Sequence, residues 1–146
     1  MRRKYLLGAT ILFLIVLSAC GTQTATTATT AKDAQTNVFQ DITANAAPAL
    51  ISQTKDLTIL DVRTAKEYAT GHLQNAINID FSGIDGVPFR YGLEKLDPAK
   101  PYLVYCRTGQ RSANATQYML KAGFTKVYNL EGGITKWQAD GGAVVK

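Results

Sequence analysis

The sequence predicts an α/β domain built on an open, mainly parallel sheet, and three observations carry that expectation. Short apolar runs of strand length alternate with helical patterns from Val38 onward. Strand, helix, strand order brings successive strands side by side in parallel through right-handed connections. The chain of 146 residues, 46% hydrophobic and 18% charged, has room for one ordinary globular core. A two-domain enzyme, a wholly disordered chain and a multi-span membrane protein are excluded on those grounds.

The elements follow in chain order. Arg2, Arg3 and Lys4 form a positive start, and Tyr5 to Leu17 is an apolar or small-residue run of 13 residues ending in Leu17-Ser18-Ala19-Cys20. That run is shorter than the roughly 20 residues a spanning helix needs, so it reads as a secretory signal. Leu-Ser-Ala-Cys resembles the bacterial lipobox, which implies a signal peptide over 1–19 and lipidation of Cys20. Several acyl chains anchor stably where one binds marginally. Residues 20–37 are the lipidated Cys and a tether. Its 21–36 stretch holds seven Thr and four Ala with no aromatic residue, too little apolar surface to offset ordering entropy. A flexible coil of that length spans about 20 to 25 Å. The expected location is therefore a bacterial membrane, with the domain facing the periplasm or the cell exterior.

The folded domain is expected over 38–146. Leu57–Val62 reads as a strand, and Thr64-Ala-Lys-Glu67 is a capping box that starts a helix. Arg63 and Glu67 also stand four apart. Ala76–Ile79, Tyr102–Tyr105 (introduced by Pro101) and Lys126–Leu130 are further strands. Between the last two, Ser112–Ala122 places Ala115, Met119 and Ala122 on one helical face, with Gly123 as the cap. Pro48 interrupts an Asn/Ala-rich stretch that otherwise reads as helix. Trp137 and Phe124 read as core, Arg90 as a surface residue, and Gly141–Lys146 as a frayed end. In such sheets ligands collect at the carboxyl ends of strands, where Asp61 and Cys106 fall.

Charge and ligand counts narrow the function. Of 16 basic residues three precede the apolar run; the remaining 13 against 11 acids leave +2, no basis for nucleic-acid binding. Two Cys and one His cannot furnish the four protein ligands of a structural zinc. The chemistry concentrates in Tyr105-Cys-Arg-Thr-Gly-Gln-Arg-Ser-Ala113. A strand delivers Cys106 to a tight loop, and a helix begins near Arg111 or Ser112. Loop amides and unpaired amides of the first helical turn form an anion nest, and Arg107 and Arg111 add positive charge. Such surroundings lower a thiol from about 8.5 to about 3.5–7.5, so no His base is needed. Cys106 therefore reads as a reactive thiol rather than an inert core cysteine, and His72 as a structural histidine.

Leu60-Asp-Val-Arg63, Glu67-Tyr68, Gly71-His-Leu73 with Asn75-Ala-Ile-Asn-Ile79, the Cys106 loop, Gly123-Phe124 and Leu130-Glu-Gly-Gly-Ile-Thr-Lys-Trp137 together resemble the rhodanese family across nearly the whole domain. The resemblance implies helices on both faces of the sheet and a single-domain sulfurtransferase with no cofactor and no metal. Cys106 would take sulfur from a small anionic donor such as thiosulfate, hold it as a persulfide and pass it to cyanide or a thiol. Arg107, Thr108, Gly109, Gln110, Arg111 and Ser112 would bind the persulfide and substrate, with Arg107 and Arg111 drawing in the donor and stabilising leaving sulfite. Asp61, Arg63 and His72 would support the site without reacting.

Three functional readings follow. The first is a persulfide-forming enzyme. The second is a membrane-tethered persulfide carrier or binding module with little small-molecule turnover, which needs the same Cys106 cradle. The third, a Cys-x5-Arg phosphatase, is disfavoured by the Cys106-x4-Arg111 spacing, which puts Ser112 where that loop has its Arg. No second Cys lies in the domain for a redox couple.

Overall fold

A computed structural model of the chain describes residues 37–82 and 87–146; the signal peptide, Cys20 and the tether read from the sequence lie outside the described residues. Five strands, β1 (Val38–Ile42), β2 (Thr58–Asp61), β3 (Ile77–Asn78), β4 (Pro101–Tyr105) and β5 (Lys126–Leu130), form one sheet in the order β1-β5-β4-β2-β3. Every pairing is parallel. Five helices connect or follow them: α1 (Ala47–Gln53), α2 (Ala65–Thr70), α3 (Val87–Leu93), α4 (Gln110–Lys121) and α5 (Gly133–Ala139).

Strand β4 is central, and all five of its residues are buried. Successive side chains alternate between two cores, as a strand covered on both faces requires. Tyr102 and Val104 join Leu60, Val62 and Val127 against Phe89 and Leu93 of α3 and Ala115 and Met119 of α4. Leu103 and Tyr105 join Ile42, Ile59 and Leu130 against Ala47 of α1, Tyr68 of α2 and Ile134 of α5. Helices thus cover both faces, as the resemblance implies. Pro101 opens β4, a position where a buried strand tolerates a residue without an N–H.

Some local readings hold and others change. The capping box forms: Thr64 Oγ1 accepts from Glu67 N at 3.2 Å, and Glu67 Oε2 accepts from Thr64 N at 3.0 Å. Pro48 sits in the first turn of α1, where its missing N–H has no partner to lose, so the Asn/Ala-rich stretch is helical from Ala47. Gly123 follows α4 at φ +95°, and its N–H reaches Leu120 O at 3.1 Å, closing the helix as expected. Ala122, in contrast, is exposed at the C-terminal cap of α4. The chain end is not frayed. His72 and Val145 exchange backbone hydrogen bonds, each 2.9 Å, and Trp137 Nε1 donates to Ala143 O at 2.9 Å. Gly142 lies so close over the Trp137 ring that a Cβ there would meet it at 2.3 Å.

Arg63 and Glu67, four apart in the sequence, find different partners. Arg63 precedes the helix cap, so the four-residue spacing does not place it on the face of α2 that carries Glu67. It pairs with Asp61 instead, Nη2 to Oδ2 at 2.6 Å and Nε to both carboxylate oxygens at 3.0 Å, and donates to Gly71 O at 2.7 Å. Asp61 is fully buried and Arg63 nearly so. Removing one partner of such a pair leaves the other charged and buried, so Asp61→Ala should cost about 3–5 kcal/mol. A urea titration followed by circular dichroism measures it, and a loss below about 1 kcal/mol would contradict the pairing's structural weight.

Candidate active site

Sheet order reverses between β2 and β4: β2 leads outward to β3, and β4 leads the other way to β5. The crevice at the carboxyl ends of these two strands is where parallel α/β sheets bind ligands. Asp61 ends β2, and Cys106 follows β4 directly. Val62 N donates to Tyr105 O at 2.9 Å and carries the pairing to the edge of the loop.

The loop is short because Gly109, at φ +91°, turns the chain straight into α4, which begins at Gln110, slightly earlier than the sequence indicated. This turn curls the backbone around the sulfur. Gly109 N donates to Cys106 Sγ at 3.2 Å, and Ser112 Oγ lies 3.5 Å from the same atom. Ser112 Oγ also reaches Gly109 O at 3.0 Å, so its single proton serves one acceptor at a time and an ionised sulfur can recruit it. Cys106 is 1% exposed and packs into the core, more enclosed than its Arg- and Gly-rich flanks suggest. Burial is the largest influence on the thiol and favours its neutral form. Hydrogen bonds from Ser112, through side chain and backbone, and from the Thr108 and Gly109 amides together outweigh it and hold the thiol below its ordinary range.

The back of the loop is fixed by α5. Ile134 N donates to Cys106 O at 2.9 Å, and Thr135 N donates to Arg107 O at 3.1 Å, so amides that a helix start leaves unpaired tie the loop down. This approach requires Gly133, where a Cβ would stand 2.4 Å from Cys106 O and 2.6 Å from Arg107 O at φ +57°. The Gly132-Gly133 pair is visible in the sequence as a family landmark, but its task of admitting the loop is legible only in three dimensions.

The remaining candidates fall into distinct places. Arg107 and Thr108 are exposed on the loop, and Gln110 is exposed at the start of α4. Arg111 grips Glu67, Nη1 to Oε2 at 3.0 Å and Nη2 to Oε1 at 2.7 Å. The capping box aims the Glu67 carboxylate at the first turn of α4, where Arg111 meets it. The bond from Arg111, with those from Thr64, pulls Glu67 down to about 2 despite its partial burial. Arg63 and Asp61 stay behind the loop with Tyr105, whose hydroxyl accepts from Leu73 N at 3.1 Å; burial and the Asp61 carboxylate push that phenol up. His72 stacks on Tyr68 at 3.7 Å between ring centroids, and its Nδ1 lies 3.2 Å from Tyr68 O. Arg90 is exposed on α3 over the Tyr91 ring. Among the described residues no three His, Cys, Asp or Glu side chains converge as a metal site would need. Beside the loop runs a cleft of about 390 Å³ lined by Asp41, Thr108, Gln110, Asn129 and Glu131.

A buried cysteine whose thiol is held below its ordinary range by loop amides, at the switch point of a parallel α/β sheet, defines a class of proteins that do chemistry on a thiolate. The sequence matches the Rhodanese-like domain family over residues 43–140, and the chain belongs to that family. It is 36% identical over 85 residues to a thiosulfate sulfurtransferase GlpE of Coxiella burnetii, covering 58% of this chain and 75% of that protein. A sulfurtransferase of Allochromatium vinosum is 32% identical over 95 residues, 65% of this chain and 84% of that one. Among solved structures, a rhodanese-related protein of Thermoplasma volcanium aligns with a TM-score of 0.62 at 35% identity, covering 73% of this chain and 97% of that one. A rhodanese-like domain protein of Staphylococcus aureus aligns with a TM-score of 0.58 at 31% identity, covering 67% and 90%.

The cradle generates a pH prediction. The rate of Cys106 alkylation by iodoacetamide should rise with pH through a midpoint below that of a free thiol. Ser112→Ala should move the midpoint up by about one unit, the loss of one charge-assisted hydrogen bond. An unmoved midpoint would show that the hydroxyl does not stabilise the thiolate.

Proposed function

We propose that the protein is a sulfurtransferase that carries sulfane sulfur on Cys106. The observation that supports this best is the sulfur itself, enclosed by hydrogen-bond donors that favour its anionic form. In the first step the Cys106 thiolate attacks the outer sulfur of a donor such as thiosulfate. The new S–S bond forms as the sulfur–sulfonate bond breaks, and sulfite leaves with the bonding pair. In the second step cyanide or a thiolate attacks the outer sulfur of the persulfide, and the cysteine thiolate departs. The amides of Thr108, Gly109 and Ser112 stabilise the charge that returns to sulfur at each stage, as preorganised donors do for any developing anion. The names of the relatives from C. burnetii and A. vinosum agree with this reading. A phosphatase reading is poorly supported, because Arg111 is paired with Glu67 and Ser112 stands where a Cys-x5-Arg loop has its Arg, its hydroxyl 3.5 Å from the sulfur.

Treatment of the full chain with thiosulfate or cysteine persulfide should add one sulfur atom to its intact mass, and a cyanide chase should release it as thiocyanate. Cys106→Ser should abolish both while leaving the circular dichroism spectrum unchanged. Transfer that persists in that variant overturns the mechanism.

We also propose that Cys20 is lipidated and that the domain works outside the cytoplasm on the tether of residues 20–37. The Leu17-Ser-Ala-Cys20 motif behind a short apolar run supports this. Cys20→Ala should move the protein from the membrane fraction to the soluble one; acylation that survives the substitution overturns the assignment.

A further inference from the structure

The amides that face the Cys106 sulfur take their direction from what stands behind them. A trans peptide is planar, with its carbonyl and N–H pointing opposite ways, so whatever grips the carbonyl aims the N–H. The Thr108 N–H, a donor to the sulfur, shares its plane with Arg107 O, and Arg107 O is gripped by Thr135 N at 3.1 Å. The preceding plane is held the same way, Cys106 O by Ile134 N at 2.9 Å. Gly109, whose N–H reaches the sulfur at 3.2 Å, is backed by the turn into α5: a Cβ there would stand 3.0 Å from Gly132 N and 3.3 Å from Leu130 O. The aim of both amides thus depends on where α5 and its leading turn sit.

Helix α5 has little of its own to fix that position. It is seven residues long, Gly132 at its N-cap offers no side-chain cap, and Ile134 is its one buried side chain. A helix so short is not stable by itself. The segment 141–146 supplies further seating. Gly142 N donates to Trp137 O at 2.8 Å, Trp137 Nε1 donates to Ala143 O at 2.9 Å, and Gly142 lies against the indole ring. Val144 and Trp137 both pack on the core cluster that holds Ile134. Val145 exchanges backbone bonds with His72, and the next residue, Leu73, donates to the Tyr105 hydroxyl at 3.1 Å. The segment is therefore pinned at one end to α5 and at the other to the turn that holds the residue before Cys106. We propose that Trp137 is a positioning residue for the Cys106 thiolate: its latch to the segment 141–146 seats α5, and α5 aims the loop amides at the sulfur. As a role in sulfur transfer this rests on the sulfurtransferase reading, but alkylation reads the thiolate without any transfer. A small misaim matters because a hydrogen bond weakens steeply as it bends.

Three variants of the full chain grade the latch. Trp137→Ala removes the ring and the indole N–H, Gly142→Ala drives a methyl group into the ring, and Trp137→Phe keeps a ring and loses only the N–H. Iodoacetamide alkylation across pH, followed by mass on the Cys106 peptide, gives the midpoint; thiosulfate with a cyanide chase gives kcat and KM. Trp137→Ala and Gly142→Ala should raise the midpoint by about half a unit. They should lower kcat about threefold, the same change read as a rate, and alter KM for thiosulfate by less than about twofold. Trp137→Phe should recover more than half of the shift. Leu93→Ala, on α3 across the sheet, measures what loss of stability alone does, and its midpoint should stay at the wild-type value. A wild-type midpoint in Trp137→Ala and Gly142→Ala, or an equal rise in Leu93→Ala, overturns the inference. If Trp137→Ala does not fold, a wild-type midpoint in Gly142→Ala is enough to overturn it. A wild type that transfers no sulfur removes the sulfurtransferase reading, whereas an unmoved midpoint removes only the role of Trp137.

Discussion

The contest between burial and hydrogen bonding at one sulfur atom governs this structure. A thiol enclosed as fully as Cys106 would ordinarily be driven toward its neutral, inert form. Here part of that enclosure is built from backbone N–H groups, so some of the atoms that exclude water are also the donors that replace it. The arrangement persists only if the loop is rigid, because an amide that swings away restores the cost of burial at once. Two devices supply the rigidity. From behind, α5 ties the carbonyls of Cys106 and Arg107 through its own unpaired amides, an approach that only a glycine at position 133 permits. From the side, Arg111 binds the first turn of α4 to the cap of α2.

The neighbouring strand is secured by a different kind of interaction. Asp61 and Arg63 place opposite charges in a fully enclosed position, and Arg63 extends the tie to the turn after α2 through Gly71 O. Asn78 completes the frame by donating to Asp61 O and Arg63 O at 2.9 and 2.8 Å, which joins β3 to the chain just after β2. Buried ion pairs are weak devices for raising stability outright, but they are exacting about geometry. In this fold the geometry they hold is the floor of the crevice beside Cys106.

Much of this was legible in the sequence, and the reasons are local. The capping box at Thr64 and Glu67, the Gly123 stop and the apolar runs of β2, β4 and β5 are signals that act over four or five residues, so they survive without knowledge of the fold. Strand β1 escaped notice because an edge strand needs only one buried side chain, and Ile42 alone is buried in Val38-Phe-Gln-Asp-Ile42. Helix α3 escaped because Pro88 and Gly92 are poor helix signals; Phe89 and Leu93, four apart, are held helical by the core they enter. The cradle around Cys106 was readable because its donors are consecutive backbone groups. The partner of Arg111 was not, since Glu67 lies 44 residues away and no spacing rule reaches that far.

That long-range pair gives Glu67 two duties, capping α2 and fixing the charge of the loop, and its ionisation links them. With its carboxyl held at about 2, against an unfolded value of 4.5, the stabilisation it contributes is fully present above the unfolded value. It is lost progressively as the pH falls from about 4.5 through about 2. The guanidinium partner stays protonated throughout. Across neutral and mildly acidic conditions the pair therefore contributes a constant dipole, while the Cys106 thiol next to it is free to change its charge. A loop whose supporting charges do not move lets the sulfur alone register what arrives at it, whether a proton, an electrophile or another sulfur atom.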